Sequence, residues 1–216
     1  ANSGKITLTT QGGNVTVKEA VTANGGGYID LRTATAGNGG NIVIDNANNV
    51  PGTDRGILTS TSGAVQVIAG GSLTTTSANN AQTEIDTTGT VALEAGKNIG
   101  TDSNRIEIAK AATLAARTLA VGGTNDMWLR KLGSTGIPTD DLIVGRVAGV
   151  NTGDGSVLGP VTTTLDNKFA AGTGLQSGTA DQGLDGLTTT ANSGKIRLRL
   201  AGVELEPLTP GAGPLL

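Results

Sequence analysis

The sequence predicts an all-β chain whose short strands stack as the coils of a parallel β-solenoid, and three observations carry that prediction. Segments alternating apolar and polar with period two recur along much of the 216 residues; in the first, Ile6 and Leu8 share one face and Thr7 and Thr9 the other. Corners rich in Gly and Asn, too short to hold a helix, separate these segments. With 35 Gly but one Trp, one Tyr and one Phe, the chain has material only for a narrow aliphatic core.

Taken in order, residues 3–19 give two half-buried strands around Gly12-Gly13-Asn14, with Val15 and Val17 inward in the second. Four such side chains cover too little area to offset the entropy of ordering the turn, so copies must stack on them. Copies follow at 28–33 (YIDLRT), 41–46 (NIVIDN), 63–68 (GAVQVI), 89–94 (GTVALE) and 104–109 (NRIEIA). Gly and Asn at 24–27, 37–40, 70–71 and 96–98 are expected to supply the positive φ that tight corners need. At roughly 20 residues per coil the chain makes about ten coils, a rod of ~50 Å.

Residues 46–55 form a surface loop in which Pro51 offers no ladder donor. Residues 109–121 have helical propensity, yet their place between strand segments favours more strands, at 113–115 and 118–121. Strand signal resumes at 127–130 and 141–147, then thins over 149–187, where residues 161–165 read as a strand and Lys168-Phe169 as a loop anchor. The predicted organisation is one solenoid over 1–205, with regular coils to 150 and loop-rich coils from 150 to 205, followed by a Pro/Gly-rich tail or linker at 206–216. Residues 191–196 repeat residues 1–6, ANSGKI, letter for letter. Either the chain is one period of a longer array, or its first and last coils share a sequence.

With these segments laid out, the chain resembles the filamentous-haemagglutinin-like β-strand-repeat proteins, very large bacterial surface or secreted proteins. The residues that carry the likeness are 89–101 (GTVALEAGKNIGT) with Asn104-Arg105-Ile106 and 112–116 (ATLAA), then 62–73 and 39–44. The likeness extends over about residues 1–150. It implies a single-stranded right-handed parallel β-helix that is exported and serves adhesion or an extracellular scaffold.

Composition narrows the chemistry. A net charge of −3 and a pI near 4.9 leave no dense basic patch for nucleic acid, and no apolar run is long enough to span a membrane. The absence of cysteine leaves the compartment open. High Gly, Thr and Asn with weak charge fit an extracellular or cell-surface location, and the opening in mid-pattern suggests a piece of something longer. Neither His nor Cys is present, so acid–base or nucleophilic catalysis would fall to carboxylates, Lys and hydroxyls. Asp30, Asp45, Asp86 and Glu94 alternate outward beside Arg32 and read as a solvated face, not as a catalytic set. For calcium, residues 37–41, 151–155, Asp140-Asp141, Asp181 and Asp185 are the oxygen-rich stretches, and turn chemistry accounts for them. No enzyme activity and no cofactor is therefore expected.

What remains is assembly. Residues 5–10 and 195–200 read as bare strands at the two ends of the stack, and unpaired ladders accept other strands. The expected assembly interface is Ile6, Leu8, Val15 and Val17 at one end, and Ile196, Leu198 and Leu200 at the other. The expected partners are copies of the chain or neighbouring repeats of a longer one. The chain would then be a structural repeat or subunit of an extracellular fibre, sheath or surface layer. The alternative is an adhesin segment that meets a cell-surface glycan or protein through loops such as 46–55 and 149–187.

Overall fold

The computed structural model describes residues 4–10, 12–33, 39–46, 55–76, 82–119, 125–132, 142–147, 184–189, 194–200 and 203–205. Three parallel sheets are built by strands that visit them in rotation. The first holds β1 (Ile6–Thr10), β4 (Ile29–Thr33), β7 (Val65–Ala69), β10 (Thr90–Ala95) and β12 (Thr113–Thr118); its last rung is shared by β14 (Ile143–Val144) and β17 (Leu187–Thr189). The second holds β2 (Val15–Val17), β5 (Ile42–Ile44) and β8 (Leu73–Thr75), and single bridges carry it on through Ile99 to Met127. The third holds β3 (Ala20–Ala23), β6 (Ile57–Ser60), β9 (Ile85–Thr87), β11 (Ile106–Ala109), β13 (Met127–Leu132) and β18 (Ile196–Leu200), and on the far edge of β18 lies β19 (Val203–Leu205), antiparallel. A separate two-stranded antiparallel ladder joins β15 (Arg146–Val147) to β16 (Leu184–Asp185). The described residues contain no helix. This all-β, parallel arrangement is consistent with a β-helix.

Register turns the period-two pattern into continuous aliphatic columns. One runs Ile6, Ile29, Val65, Val91, Leu114, Val144 and its neighbour Leu8, Leu31, Val67, Leu93, Ala116, Leu187, so each rung covers the apolar face of the one before. The second sheet stacks Val15, Ile42, Leu73, Ile99, Met127 and Ile196. In the third, Val21, Leu58, Ile85 and Ile108 lead to Lys131 and Leu200. These columns form one core cluster, their middle members almost wholly removed from water. Within 109–121, where two strands were expected, residues 113–118 join the first sheet as the single strand β12, since Leu114 and Ala116 fit inward positions that a helix would leave empty, and residues 120–121 lie outside the described residues.

Among the described residues the first-sheet columns have six rungs, not about ten, and at ~4.8 Å each they span roughly 29 Å instead of ~50 Å. The first circuits take more chain than expected, 23 residues between Ile6 and Ile29 and 36 between Ile29 and Val65, because three corners as well as three strands must be supplied. The strand expected at 161–165, the Lys168-Phe169 anchor, most of the 46–55 loop and the 206–216 tail lie outside the described residues.

The corners also differ from expectation. Among the described residues positive φ occurs at Gly12, Gly25, Gly100, Gly186, Lys110 and Asn125, so the expectation holds at Gly12 and Gly25 but not at 39–40, 70–71 or 96–98, and Asn14, Asn41 and Asn98 serve another purpose. The Asn14 carbonyl Oδ1 accepts from the backbone N–H of Asn41 at 2.7 Å, and Asn41 Oδ1 from Ser72 at 2.8 Å. Asn98 does the same for Asp126 at 2.9 Å, and Asp126 for Lys195 at 2.9 Å. Each side chain thus satisfies the backbone donor of the in-register residue on the next rung, immediately before the column residue. Gly27 and Gly63 are needed for closeness: a Cβ on Gly63 would lie 1.8 Å from the Gly27 carbonyl oxygen, and one on Gly27 1.7 Å from that of Gly4.

The outer face of the first sheet is not solvated as its charges suggested. Asp30, Arg32, Gln66, Glu94 and Arg117 point away from the core yet are buried. Val147 of β15 clusters there with Ile68, Ala92 and Ala115, a second apolar layer on the far side of the sheet. With water excluded, the polar groups must satisfy one another: Arg32 pairs with Asp30, Gln66 Nε2 donates to Asp30 Oδ1 at 2.8 Å, and Arg117 Nε donates to Glu94 Oε2 at 3.1 Å. Of the four carboxylates expected to be solvated, only Asp45 and Asp86 keep partial exposure.

Candidate functional site

The ends of the rung stack are the candidate site, and their strands are short for a local reason. Each aliphatic pair is bounded by a corner Gly, Asn or Ser, so a rung carries few inward side chains and depends wholly on its neighbours for cover. At the N-terminal end β1, β2 and β3 each have a partner on one side only among the described residues. Leu8 is 45% exposed although Leu31, next in its column, is buried; Ile6 is partly buried and Val15 and Val17 are buried.

At the opposite end Leu198 is buried and Ile196 and Leu200 are partly buried against the core. The structure corrects the expectation that residues 195–200 form a bare strand. β19 folds back on β18 with Leu205 opposite Leu198, Glu204 opposite Arg199 and Val203 opposite Leu200, because only two residues separate the strands and a hairpin follows. Among the described residues the first sheet is left open at this end, where Ile143 is 61% and Val144 44% exposed. Leu8, Ile143 and Val144 are the exposed large aliphatics among the described residues, so such exposure is confined to the two ends of the first sheet.

The hexapeptide repeat does not mark equivalent positions. Ile6 opens a first-sheet column, whereas Ile196 pairs with Met127 and closes the second-sheet column that Val15 begins. What the two copies share is membership of the first and last rungs.

Two polar clusters escaped sequence reasoning. At the corner before β9, Glu84 is buried; its Oε1 accepts from Thr75 Oγ1 at 3.0 Å and its Oε2 from the Glu107 backbone N–H at 2.7 Å. Burial pushes its carboxyl up to about 8, against hydrogen bonds that favour the charged form, and the nearby Glu107 charge adds to the rise. Asn46 Nδ2 lies 3.5 Å from the same Oε1, so Glu84 ties together residues of three successive circuits. The second cluster is on the outer face of the third sheet, where Arg105 and Arg197 stand over the Trp128 ring at 5.3 and 5.8 Å from its centroid. Arg130 beside it donates to Glu107 at 2.8 Å, so this face is a ladder of stacked and paired cations across the last three rungs.

Comparison of the chain with family models, curated proteins and solved structures finds no match. Among the described residues no group of three or more His, Cys, Asp or Glu could hold a metal ion, and no helix is long and apolar enough to cross a membrane.

Proposed function

We propose that the chain is a closed, right-handed β-solenoid serving as a structural unit of an extracellular bacterial fibre, sheath or surface layer, joined to its neighbours end to end by β-stacking. The observation that carries this reading is the confinement, among the described residues, of exposed large aliphatics to the two ends of the first sheet, Leu8 at one and Ile143 and Val144 at the other. Exposed apolar groups on a strand edge with unused backbone donors and acceptors favour another strand over water. The two ends are complementary, not identical, so the contact is head to tail and generates an open fibre. An exported location rests on composition and on the resemblance of residues 89–116 to filamentous-haemagglutinin-like repeats. Electron microscopy of the concentrated chain tests the proposal. Filaments with an axial repeat near six rungs, roughly 29 Å, are expected; discrete particles at every concentration would overturn it and turn attention to an adhesin role.

A further inference from the structure

Resting on the end-to-end reading above, we infer that β19 is a removable cap over the C-terminal joint, and that stacking is switched by whether β19 lies on β18. In the third sheet β18 is the sixth member of the series that begins with β3. A rung added in the same sense would pair with the outer edge of β18 as β18 pairs with β13, and in a joint between two copies the strand due there is β3 of the next copy. That edge already holds β19. Two strands cannot use one set of backbone donors and acceptors, so cap and joint are alternatives.

The cap covers one sheet of three. At the same end the first sheet is left with Ile143 and Val144 exposed, and the Val144 column continues in register to Ile6 at the opposite end. A second copy set on in that register brings its Ile6 onto Val144, its Leu8 onto Leu187 and its Val15 onto Ile196, burying aliphatic against aliphatic in each column. Only Val21, due on Leu200, is opposed, because Val203 stands opposite Leu200. A permanent stop would cover the first sheet as well. A three-residue antiparallel strand attached by one short hairpin leaves the rest of the end competent, and displacing it costs few hydrogen bonds.

The chain contains no cysteine, which makes the switch testable in both directions. Arg199→Cys with Glu204→Cys places thiols on facing residues of an antiparallel pair, where a disulfide pins β19 to β18. The oxidised full-length variant is expected to sediment as a single chain and to show no filaments, and reduction is expected to restore them. Leu205→Pro removes a ladder donor from β19 and is expected to lower the concentration at which filaments appear by on the order of tenfold. Filaments of equal yield from the oxidised, reduced and proline variants would overturn the cap while leaving end-to-end assembly standing. Absence of filaments from every variant, the reduced and proline ones included, would overturn both.

Discussion

The outer faces of the first and third sheets carry the same device at different depths. In each a carboxylate on one rung meets an arginine in register on the next: Glu94 with Arg117 on the first sheet, Glu107 with Arg130 on the third. Arg117 and Glu94 have no contact with water, whereas the Arg130 side chain keeps 20% of its exposure. Past the end of β11, Lys110 reaches Asp86 at 2.9 Å with both partly in solvent, Lys110 48% and Asp86 25% exposed. Sequence spacing and charge are alike in all three pairs, so what separates them energetically is the cover that other parts of the chain provide. That difference teaches that an alternating charged residue on a strand is evidence of an outward position, not of a wet one.

The largest effect is expected where cover is complete. Burial raises the Glu94 carboxyl and the Arg117 guanidinium opposes the rise, so removing the arginine leaves the effect of burial unopposed. Arg117→Met keeps most of the volume but strands the carboxylate, at a cost of about 3–5 kcal/mol in urea unfolding. Adding Glu94→Leu should recover most of that loss, because a buried pair gains little over apolar residues of similar size. A double variant as unstable as the single one would show that the pair is worth more than its desolvation.

Glu84 sharpens the comparison with a buried carboxylate that has no cation among its hydrogen-bond partners. Its folded-state value, about 8, lies above the ordinary 4.5, so the folded chain holds this proton more tightly than the unfolded one. Its contribution is therefore fully present below about pH 4.5 and lost as pH rises toward 8, a change on the order of a few kcal/mol. Glu84→Gln keeps the shape and cannot ionise. The variant is expected to melt higher than the parent at pH 9 and to lose much of the parent's decline between pH 5 and 8; parallel melting curves for the two proteins across that range would refute the assignment.

How much of this was readable in advance follows from the same contrast. The inward columns were legible because period-two alternation is local: Ile6 and Leu8, Val15 and Val17, and Ile106 and Ile108 announce their face from five residues of context. The ends were legible as strands, and Leu8 as an uncovered one. The buried outer face was not, since the apolar layer on it joins Ile68, Ala92 and Ala115 to Val147, which comes from far along the sequence. Nor was the task of the corner asparagines, because a side chain that caps the next rung and one that tolerates positive φ are the same residue on paper. A signal was present for them: Asn14, Asn41, Asn98 and Asp126 each stand immediately before the aliphatic residue of the second-sheet column. Lys131 broke the inward pattern without warning; its Nζ reaches the Ala111 carbonyl at 3.2 Å, a partner only the fold supplies.

Between the extremes, Arg130→Met should cost about 1–3 kcal/mol, since Glu107 is buried and loses a charged donor while water can enter from the Arg130 side. The Lys110 pair gives the smallest and most diagnostic effect. Lys110→Ala removes an ion pair whose partners are both hydrated, so the expected loss is about 0.2–1 kcal/mol at low salt. Lys110 also has positive φ, a conformation alanine adopts no more readily, so the backbone contribution is nearly the same before and after. In about 1 M salt the Debye length falls to ~3 Å and the difference between Lys110→Ala and parent should vanish. The Arg117→Met penalty should persist there, because ions cannot reach Glu94. Urea titrations of both variants at the two salt concentrations decide the point: a salt-dependent loss at position 117, or a salt-independent one at position 110, would mean that depth does not separate the two faces.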